Sequence, residues 1–345
     1  MDHQRILRII KKLLLINRQG PYYISCLCWW RIKSGLNCYK TRERKKSYGK
    51  EMPDKTFYVI GINESWCGLF AILSHQLMHI AYAVERGYIP IVDMQNYDNQ
   101  YLSLEKRFRE NAWEYFFRQP MGYDLTGIKK AKNVIKSIIQ GGIHNEPPGI
   151  KYRLDYTSLQ SPDVLSHYKI LFEKYIKFSD KSMNFLENKY NELLKNKGRV
   201  LGILCRGTDF TTLQPPGHPI QPEPTEVIKK AEKILCEYRC DYLYLATEDA
   251  DIYDLFTDYF GDRLILDHSD KWRVTDLQGG KSNSCYNKSE KNERDINRGI
   301  EYLSQIYLLS QCTCFIGGAT YGSLGALLMP NNFEYRFIYN LGFYA

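Results

Sequence analysis

Hydrophobic and polar positions alternate most regularly after residue 198. The apolar run at residues 200–204 lies between Gly198 and Gly207 and predicts a buried strand, because glycines commonly mark the turns that bound one. Further strands are predicted at residues 241–247, 263–267 and 314–316, and helices at 224–238, 252–260, 300–309 and 323–329. This alternation is typical of a parallel sheet covered by helices on both faces. We therefore expect a Rossmann-like domain over residues 198–345.

An earlier part of the chain predicts a second α/β unit. Residues 56–60 predict a strand, residues 69–85 predict a helix that ends at Gly87, and residues 89–93 predict the next strand. A strand, a helix and a second strand in this order form the unit from which parallel sheets are built. The first half of the protein therefore has a predicted sheet of its own.

The segments on either side of this unit are less regular. Helical patterns follow around Trp113 and over residues 128–139 and 171–194, whereas residues 19–55 show no period and predict an irregular connector. The predicted units are an N-terminal segment with its connector (residues 1–55), an α/β domain (56–197) and a Rossmann-like domain (198–345).

The first 18 residues combine basic and apolar side chains. Four basic residues stand among isoleucines and leucines, and the apolar run is shorter than the roughly 20 residues that span a bilayer. Two interpretations stay open: a helix that lies on an anionic membrane surface, and a helix packed on its own protein. The first would make the protein cytoplasmic and peripheral, on the inner face of the membrane.

The charge and cysteine content limit the classes of partner. The 345 residues carry a formal net charge of +8, which suits an anionic substrate, a nucleotide or an acidic membrane. No nucleic-acid-binding motif is present, so we expect no nucleic acid partner. The ten cysteines are scattered without paired CxxC elements, and we expect them to be reduced and to bind no zinc.

His75 and His79 lie one helical turn apart among apolar neighbours, and we interpret them as core or capping residues.

Three predicted strand ends carry candidate chemistry. The first holds Arg206, Gly207, Thr208 and Asp209, the second holds Asp267 and His268, and the third is a glycine turn with Gly318, Thr320 and Ser323. Ligands of open α/β sheets bind at the carboxyl ends of strands. Arginine offers a planar fork of donors to a phosphate, and backbone N–H groups at a helix amino terminus attract anions. Simpler interpretations stay open: an Arg206–Asp209 pair that pins a loop, a glycine turn needed for packing, and a helix-capping Asp267.

Three stretches of this half resemble the motifs of a known family. They are residues 204–209, residues 244–249 with 266–268, and residues 300–305 continuing to 329. The chain here resembles the superfamily of GDP-fucose-dependent fucosyltransferases, especially its α-1,6 and nodulation enzymes. This resemblance implies a GT-B fold, in which two Rossmann-like domains enclose a cleft. It implies that residues 56–197 form the domain on the acceptor side and that residues 198–345 form the nucleotide-sugar-binding domain. It also implies a donor site in which Arg206 holds the pyrophosphate, Asp267 contacts guanine, and Gly318, Thr320 and Ser323 contact phosphate.

The sequence departs from the family at two places. Leu204 stands where the family has a histidine that recognises the base, and the segment around Gln214 lacks the acidic residue that follows the arginine in the α-1,6 enzymes. The catalytic base is therefore open, and the candidates are Asp209, His218 and Glu223, beside Arg206 as the charge-stabilising group.

The predicted function is an inverting glycosyltransferase that needs no metal or other cofactor. It would move fucose from GDP-fucose to a saccharide or a lipid-linked glycan, in the synthesis of bacterial surface glycans. Two alternatives stay open: a glycosyltransferase that uses another nucleotide sugar, and a non-catalytic protein that binds a nucleotide or a glycan.

Overall fold

The structure, a computed structural model, is a mixed α/β protein with two sheets. It describes residues 43–63, 67–103, 105–140, 146–207, 211–212, 214–265, 267, 269–273 and 294–344. The N-terminal segment 1–18, the positions Thr208, Asp209 and His268, and the glycine-containing stretch 274–293 lie outside these ranges.

The first sheet has four strands in the spatial order β1-β4-β2-β3. They are β1 (Arg44–Lys46), β2 (Glu51–Asn63), β3 (Ile89–Asp93) and β4 (Ala131–Gln140). Strand β2 runs parallel to both β3 and β4, and β1 pairs antiparallel with β4 at the edge. Helix α1 (Leu69–Glu85) connects β2 to β3, as the sequence predicts.

Two predictions for this half are wrong. Residues 131–140 form a strand and not part of a helix: Ala131, Val134 and Ile139 are buried, and this spacing of three to five residues imitated a helical period. Residues 43–55, expected to be irregular, contain β1 and the start of β2. Strand β1 reads Arg-Lys-Lys at an exposed sheet edge, so no hydrophobic alternation marked it.

The second sheet has five parallel strands in the spatial order β7-β6-β5-β8-β9. They are β5 (Val200–Leu204), β6 (Tyr242–Ala246), β7 (Leu264–Ile265), β8 (Cys314–Gly318) and β9 (Tyr335–Tyr339). This is the strand order of a doubly wound sheet, with the order reversing between β5 and β8. The sequence predicts the first four of these strands but not β9, an edge strand in which apolar and aromatic residues do not alternate cleanly.

After α1, the helices of the described chain are α2 (Ala112–Phe116), α3 (Pro162–Tyr175), α4 (Asp180–Leu193), α5 (Pro224–Glu237), α6 (Ala250–Phe260), α7 (Arg294–Ser310) and α8 (Tyr321–Leu328). Helices of the second half cover both faces of the second sheet, since α5 and α6 pack into one hydrophobic cluster and α7 and α8 into another. The helical pattern expected at 171–194 is two helices, because Ser179 caps a new helix with its hydroxyl and Phe178 bridges to Phe117.

The two halves share one hydrophobic core. Phe70 of α1 packs against Gly325 of α8 and meets Tyr302 of α7 edge to face, with ring centroids 5.3 Å apart. Buried residues of both halves belong to the same cluster. The boundary at residue 197 separates the two sheets, and as a domain boundary it stays a prediction. Among the described residues, no helix is both long and apolar enough to cross a bilayer.

Candidate active site at the strand order reversal

The candidate site lies where β5 and β8 run side by side and their connections leave in opposite directions. Leu204 pairs with Gly317 across the two strands. The chain after β5 leads to Arg206 and the chain after β8 leads to Thr320, so both residues emerge at the same edge of the sheet. Helices α5 and α8 follow these strands and pack into different hydrophobic clusters, one on each face. Such a reversal opens a crevice in which α/β sheets bind ligands.

Arg206 is held at this edge by Glu248, which follows β6. Its Nε lies 3.0 Å from the Glu248 carboxylate, and the backbone N–H of Gly207 donates to the same oxygen at 3.2 Å. Gly207 has to be glycine, because a Cβ there would lie 2.2 Å from an Asp249 carboxylate oxygen. Both side chains of the ion pair are about one-fifth exposed, so the guanidinium is fixed in direction yet reachable from the crevice.

Tyr302 of α7 connects Arg206 with the first turn of α8. Burial raises the pKa of the Tyr302 hydroxyl, and a hydrogen bond from Arg206 opposes that rise. The same hydroxyl lies against Gly322, where a Cβ would approach it to 2.7 Å. Arg206, Tyr302 and the amino terminus of α8 therefore form one contiguous group.

The amino terminus of α8 is shaped by two buried hydroxyls. Thr320 caps the helix by accepting from the Ser323 N–H at 3.1 Å, and the Ser323 hydroxyl donates to the Gly318 carbonyl at 2.6 Å. Thr320 and Ser323 are 5% and 0% exposed. These hydroxyls hold the turn from inside, so the groups that face outward for an anion are the first N–H groups of the helix.

Gln221 braces the same turn from the other side. Its amide nitrogen donates to the Pro219 carbonyl at 3.0 Å, and the side chain is 5% exposed. Its carbonyl oxygen has no hydrogen-bond partner, and it occupies the space over Gly318, where a Cβ would come within 2.2 Å. A buried acceptor without a donor is costly, and functional sites are among the places where proteins retain one.

Asp267 is buried in a polar network beyond the end of β7. Its carboxylate accepts from the Tyr244 hydroxyl at 3.2 Å and from the N–H of Ser269 at 3.1 Å. Gln305 of α7 approaches it at 3.5 Å, and Lys189 of α4 at 4.0 Å. The side chain is 4% exposed, so these groups enclose the carboxylate.

That segment lies along the end of β6. Trp272 donates its N–H to the Glu248 carbonyl at 2.8 Å and accepts from the Ala250 N–H at 2.9 Å. Arg273 forms ion pairs with Asp251 and Asp254. Lys271 donates to the Asp267 carbonyl at 3.1 Å, and burial lowers the pKa of its ammonium group. Asp267 and residues 269–273 therefore lie beside Glu248 at the end of β6.

Two of the three candidates for the catalytic base, His218 and Glu223, lie within the described residues. His218 is half-buried, and its Nδ1 lies 3.4 Å from the Pro216 carbonyl. Glu223 is exposed immediately before α5. Asp209 lies outside the described residues, and so do Thr208 and His268 of the predicted donor site. The assignment of the base stays a prediction.

Sequence reasoning missed three residues of the site. They are Glu248, Tyr302 and Gln221. Glu248 and Tyr302 lie within the stretches 244–249 and 300–305, but the partners of all three residues are distant along the chain. Leu204, which replaces the family's histidine, is buried against Gly322. Among the residues that the structure describes, no group of histidine, cysteine, aspartate and glutamate side chains has the arrangement of a metal site.

The structure is similar to solved structures of fucosyltransferases. NodZ α-1,6-fucosyltransferase soaked with GDP-fucose is 16% identical, with 80% of this chain and 94% of that chain covered and a TM-score of 0.45. A mutant of Arabidopsis thaliana FUT1 in complex with GDP is 12% identical, with 96% of this chain and 78% of that chain covered and a TM-score of 0.46. POFUT1 in complex with GDP-fucose is 8% identical, with 84% of this chain and 99% of that chain covered and a TM-score of 0.47.

No protein-family model matches the chain, and no curated protein matches it. Structural likeness below a TM-score of 0.5 does not decide what a protein binds or transfers. The function proposed below therefore depends on the geometry of the site and on the sequence motifs.

Proposed function

We propose that the protein is an inverting glycosyltransferase that moves fucose from GDP-fucose to a saccharide hydroxyl. The observation that carries this proposal is the convergence of Arg206, Tyr302 and the amino terminus of α8 at the strand order reversal. A fixed guanidinium and a helix amino terminus side by side are suited to a diphosphate, because both present donors to the same anion. In this proposal the two halves are the two domains of a GT-B fold, and the crevice is its cleft.

The chemistry asked of these groups is stabilisation of charge. The acceptor hydroxyl oxygen attacks the anomeric carbon from the face opposite the diphosphate, and the bond between that carbon and the phosphate oxygen breaks. The electron pair of the broken bond stays on the diphosphate, where Arg206 and the first N–H groups of α8 stabilise it. The hydroxyl proton passes to a base, for which His218, Glu223 and Asp209 remain the candidates. No metal is required in this scheme.

The choice of guanine and fucose depends on the motif resemblance, and two observations favour a second candidate donor. Leu204 offers no hydrogen bond to a base, and the Asp267 carboxylate already accepts from Tyr244 and Ser269. Another nucleotide sugar would fit the same diphosphate site, because Arg206 and α8 recognise only the phosphates. A saccharide or lipid-linked acceptor in the synthesis of bacterial surface glycans, with residues 1–18 on the membrane, completes the proposal.

A nucleotide panel tests the donor. Melting temperatures of the full chain are measured with GDP, UDP, ADP and CMP and with their common sugar conjugates, because a ligand of the native state raises the melting temperature. We expect a rise with GDP and GDP-fucose. If the melting temperature rises only with another nucleotide or its sugar conjugate, the donor is not GDP-fucose. If it rises with no nucleotide, the proposal is contradicted.

A second assay distinguishes an enzyme from a binding protein. Release of GDP from GDP-fucose is followed in the presence of an acceptor panel, with donor hydrolysis by the protein alone as the baseline. Release above this baseline is expected with at least one acceptor. Tight binding of GDP-fucose with no release under any condition would favour a non-catalytic nucleotide-binding protein.

A further inference from the structure

Three aromatic rings from distant parts of the chain meet beside the candidate site. Tyr156 begins a 3₁₀ helix (Tyr156–Gln160), Tyr321 begins α8, and Phe343 lies close to the C-terminal end of the described chain. The Tyr156 and Tyr321 rings pack edge to face with centroids 5.2 Å apart, and the Tyr156 and Phe343 centroids are 6.0 Å apart. We call these three residues the aromatic rim.

The aromatic rim adjoins the residues that shape the diphosphate site. Tyr321 directly follows Thr320, the cap of α8. Phe343 forms a bridge with Pro219, and the neighbouring backbone pairs are Ile220 N–H with Gly342 and Tyr344 N–H with His218, both at 3.0 Å. The Tyr156 hydroxyl donates to the Gly217 carbonyl at 3.0 Å. The rim is therefore tied to the segment 217–221, which ends in Gln221 over Gly318.

The rim leaves apolar surface open to solvent. Phe343 is 48% exposed, and Leu341 in the same segment is also 48% exposed. Polar groups border it: Arg153 pairs with Asp155 at 2.6 Å and with Glu146 at 3.0 Å, and Asp155 caps the helix that carries Tyr156. An exposed aromatic surface bordered by fixed polar groups is characteristic of a ligand subsite.

We propose that the aromatic rim binds the saccharide acceptor, with a sugar ring stacked on Phe343 and Tyr156. A sugar ring presents C–H groups on its face, which favour the negative face of an aromatic ring, and hydroxyl groups around its edge, which suit the Arg153–Asp155 pair. Because Tyr321 directly follows Thr320, an acceptor on the rim would lie beside a donor seated on the amino terminus of α8. This inference rests on the proposed function, because only a transferase has an acceptor.

Variants of exposed residues test the inference without disturbing the fold. Phe343→Ala removes the exposed ring, Phe343→Trp keeps an aromatic face, and Phe108→Ala removes an exposed ring elsewhere, since Phe108 is 64% exposed. Binding of cellotetraose, chitotetraose, mannotetraose and galactotetraose to the full chain is measured by saturation-transfer NMR, in the presence of GDP. GDP affinity is measured by calorimetry for each variant.

We expect at least one tetrasaccharide to bind the wild type, and Phe343→Ala to weaken that binding about tenfold with GDP affinity unchanged. Phe343→Trp and Phe108→Ala should bind as the wild type does. Equal binding by the wild type and Phe343→Ala would overturn the inference, and so would wild-type binding of GDP-fucose with no tetrasaccharide bound.

Two further outcomes are distinct from these. A wild type that binds tetrasaccharides through Phe343 but no nucleotide sugar would contradict the proposed function, and it would leave the rim as a glycan site without its transferase role. Sedimentation with vesicles of phosphatidylcholine and phosphatidylglycerol that is lost only in Phe343→Ala would assign the rim to a lipid surface and overturn the inference.

Discussion

The guanidinium of Arg206 lies 3.0 Å from the carboxylate of Glu248, and this ion pair joins the ends of β5 and β6. Glu248 also accepts from the N–H of Gly207, so a single carboxylate fixes both the direction of Arg206 and the backbone beside it. Arg206 also donates to the Tyr302 hydroxyl, so the guanidinium connects Glu248 with the helix that carries Tyr302.

Removing the charge of Glu248 should strengthen the binding of a nucleoside diphosphate. Glu248→Gln keeps an acceptor for Arg206 but removes a negative charge that repels the phosphates. We expect the Kd for GDP to fall about threefold to tenfold at low salt, and the gain to shrink at high salt. Calorimetric titration at two salt concentrations measures this. Glu334→Gln is the matched control, because Glu334 pairs with Arg199 at the other end of the sheet. Weaker GDP binding by Glu248→Gln would refute the prediction.

The first turn of α8 should not tolerate a side chain at Gly322. A Cβ there would meet the Tyr302 hydroxyl at 2.7 Å and Leu204 at 2.9 Å, so Gly322→Ala should cost about 1–3 kcal/mol of stability. Urea unfolding gives the midpoint for this variant. Gly68→Ala is its control, because no atom lies within 4 Å of a Cβ at Gly68. Equal midpoints for the two variants would show that Tyr302 does not lie against this turn.

Gly318 and Gln221 should be coupled. In Gly318→Ala the new Cβ would displace the Gln221 side-chain oxygen, which lies 2.2 Å from its position, and we expect GDP affinity to fall roughly tenfold as the turn shifts. Adding Gln221→Ala removes the clash and should recover most of the loss. Affinities of the two single variants and the double variant form a double-mutant cycle. If the losses of GDP affinity in the two single variants simply add in the double variant, Gly318 and Gln221 are not coupled and the contact between them is contradicted.

His75 should make stability depend on pH. Burial against α8 and the nearby Arg153 lower the pKa of the imidazole to about 4, so His75 is neutral in the folded protein near pH 7. In the unfolded chain it takes up a proton below about pH 6.5, so stability should fall as pH drops from about 6.5 to about 4, by roughly 3 kcal/mol in total. In His75→Gln, the urea midpoint of unfolding should change less with pH between about 6.5 and about 4. An unchanged slope in His75→Gln would assign the dependence to other groups.

The sequence predicts four of the five strands of the second sheet because these strands are short, apolar and separated by helical patterns. Arg206, Asp267 and Gly318 are candidate residues because they lie at the ends of predicted strands, and their roles stay predictions. The sequence prediction fails for β4, where apolar residues on both faces imitate a helix, and for β1, which is polar. It also does not reveal which hydrogen bonds the side chains form: Ser323 and Thr320 bond within their own turn, and Asp267 is enclosed by Tyr244 and Ser269.

The site contacts that the sequence does not predict join residues that are distant along the chain. Glu248 follows Arg206 by 42 residues, and Gln221 reaches Gly318 across 97 residues, so no local pattern joins them. The aromatic rim has the same character, because Tyr156, Tyr321 and Phe343 meet only once both halves and the C-terminal segment have folded.

The most direct test of a diphosphate site at Arg206 is calorimetric titration of GDP-fucose into the wild type, Arg206→Ala and Arg199→Ala. Arg199 is also ion-paired, but it lies at the amino-terminal end of β5, and Arg206 follows the carboxyl end. We predict that Arg206→Ala weakens binding about 10²-fold to 10³-fold with its melting temperature nearly unchanged, and that Arg199→Ala binds as the wild type does. Equal affinity of the wild type and Arg206→Ala for GDP-fucose would contradict the account.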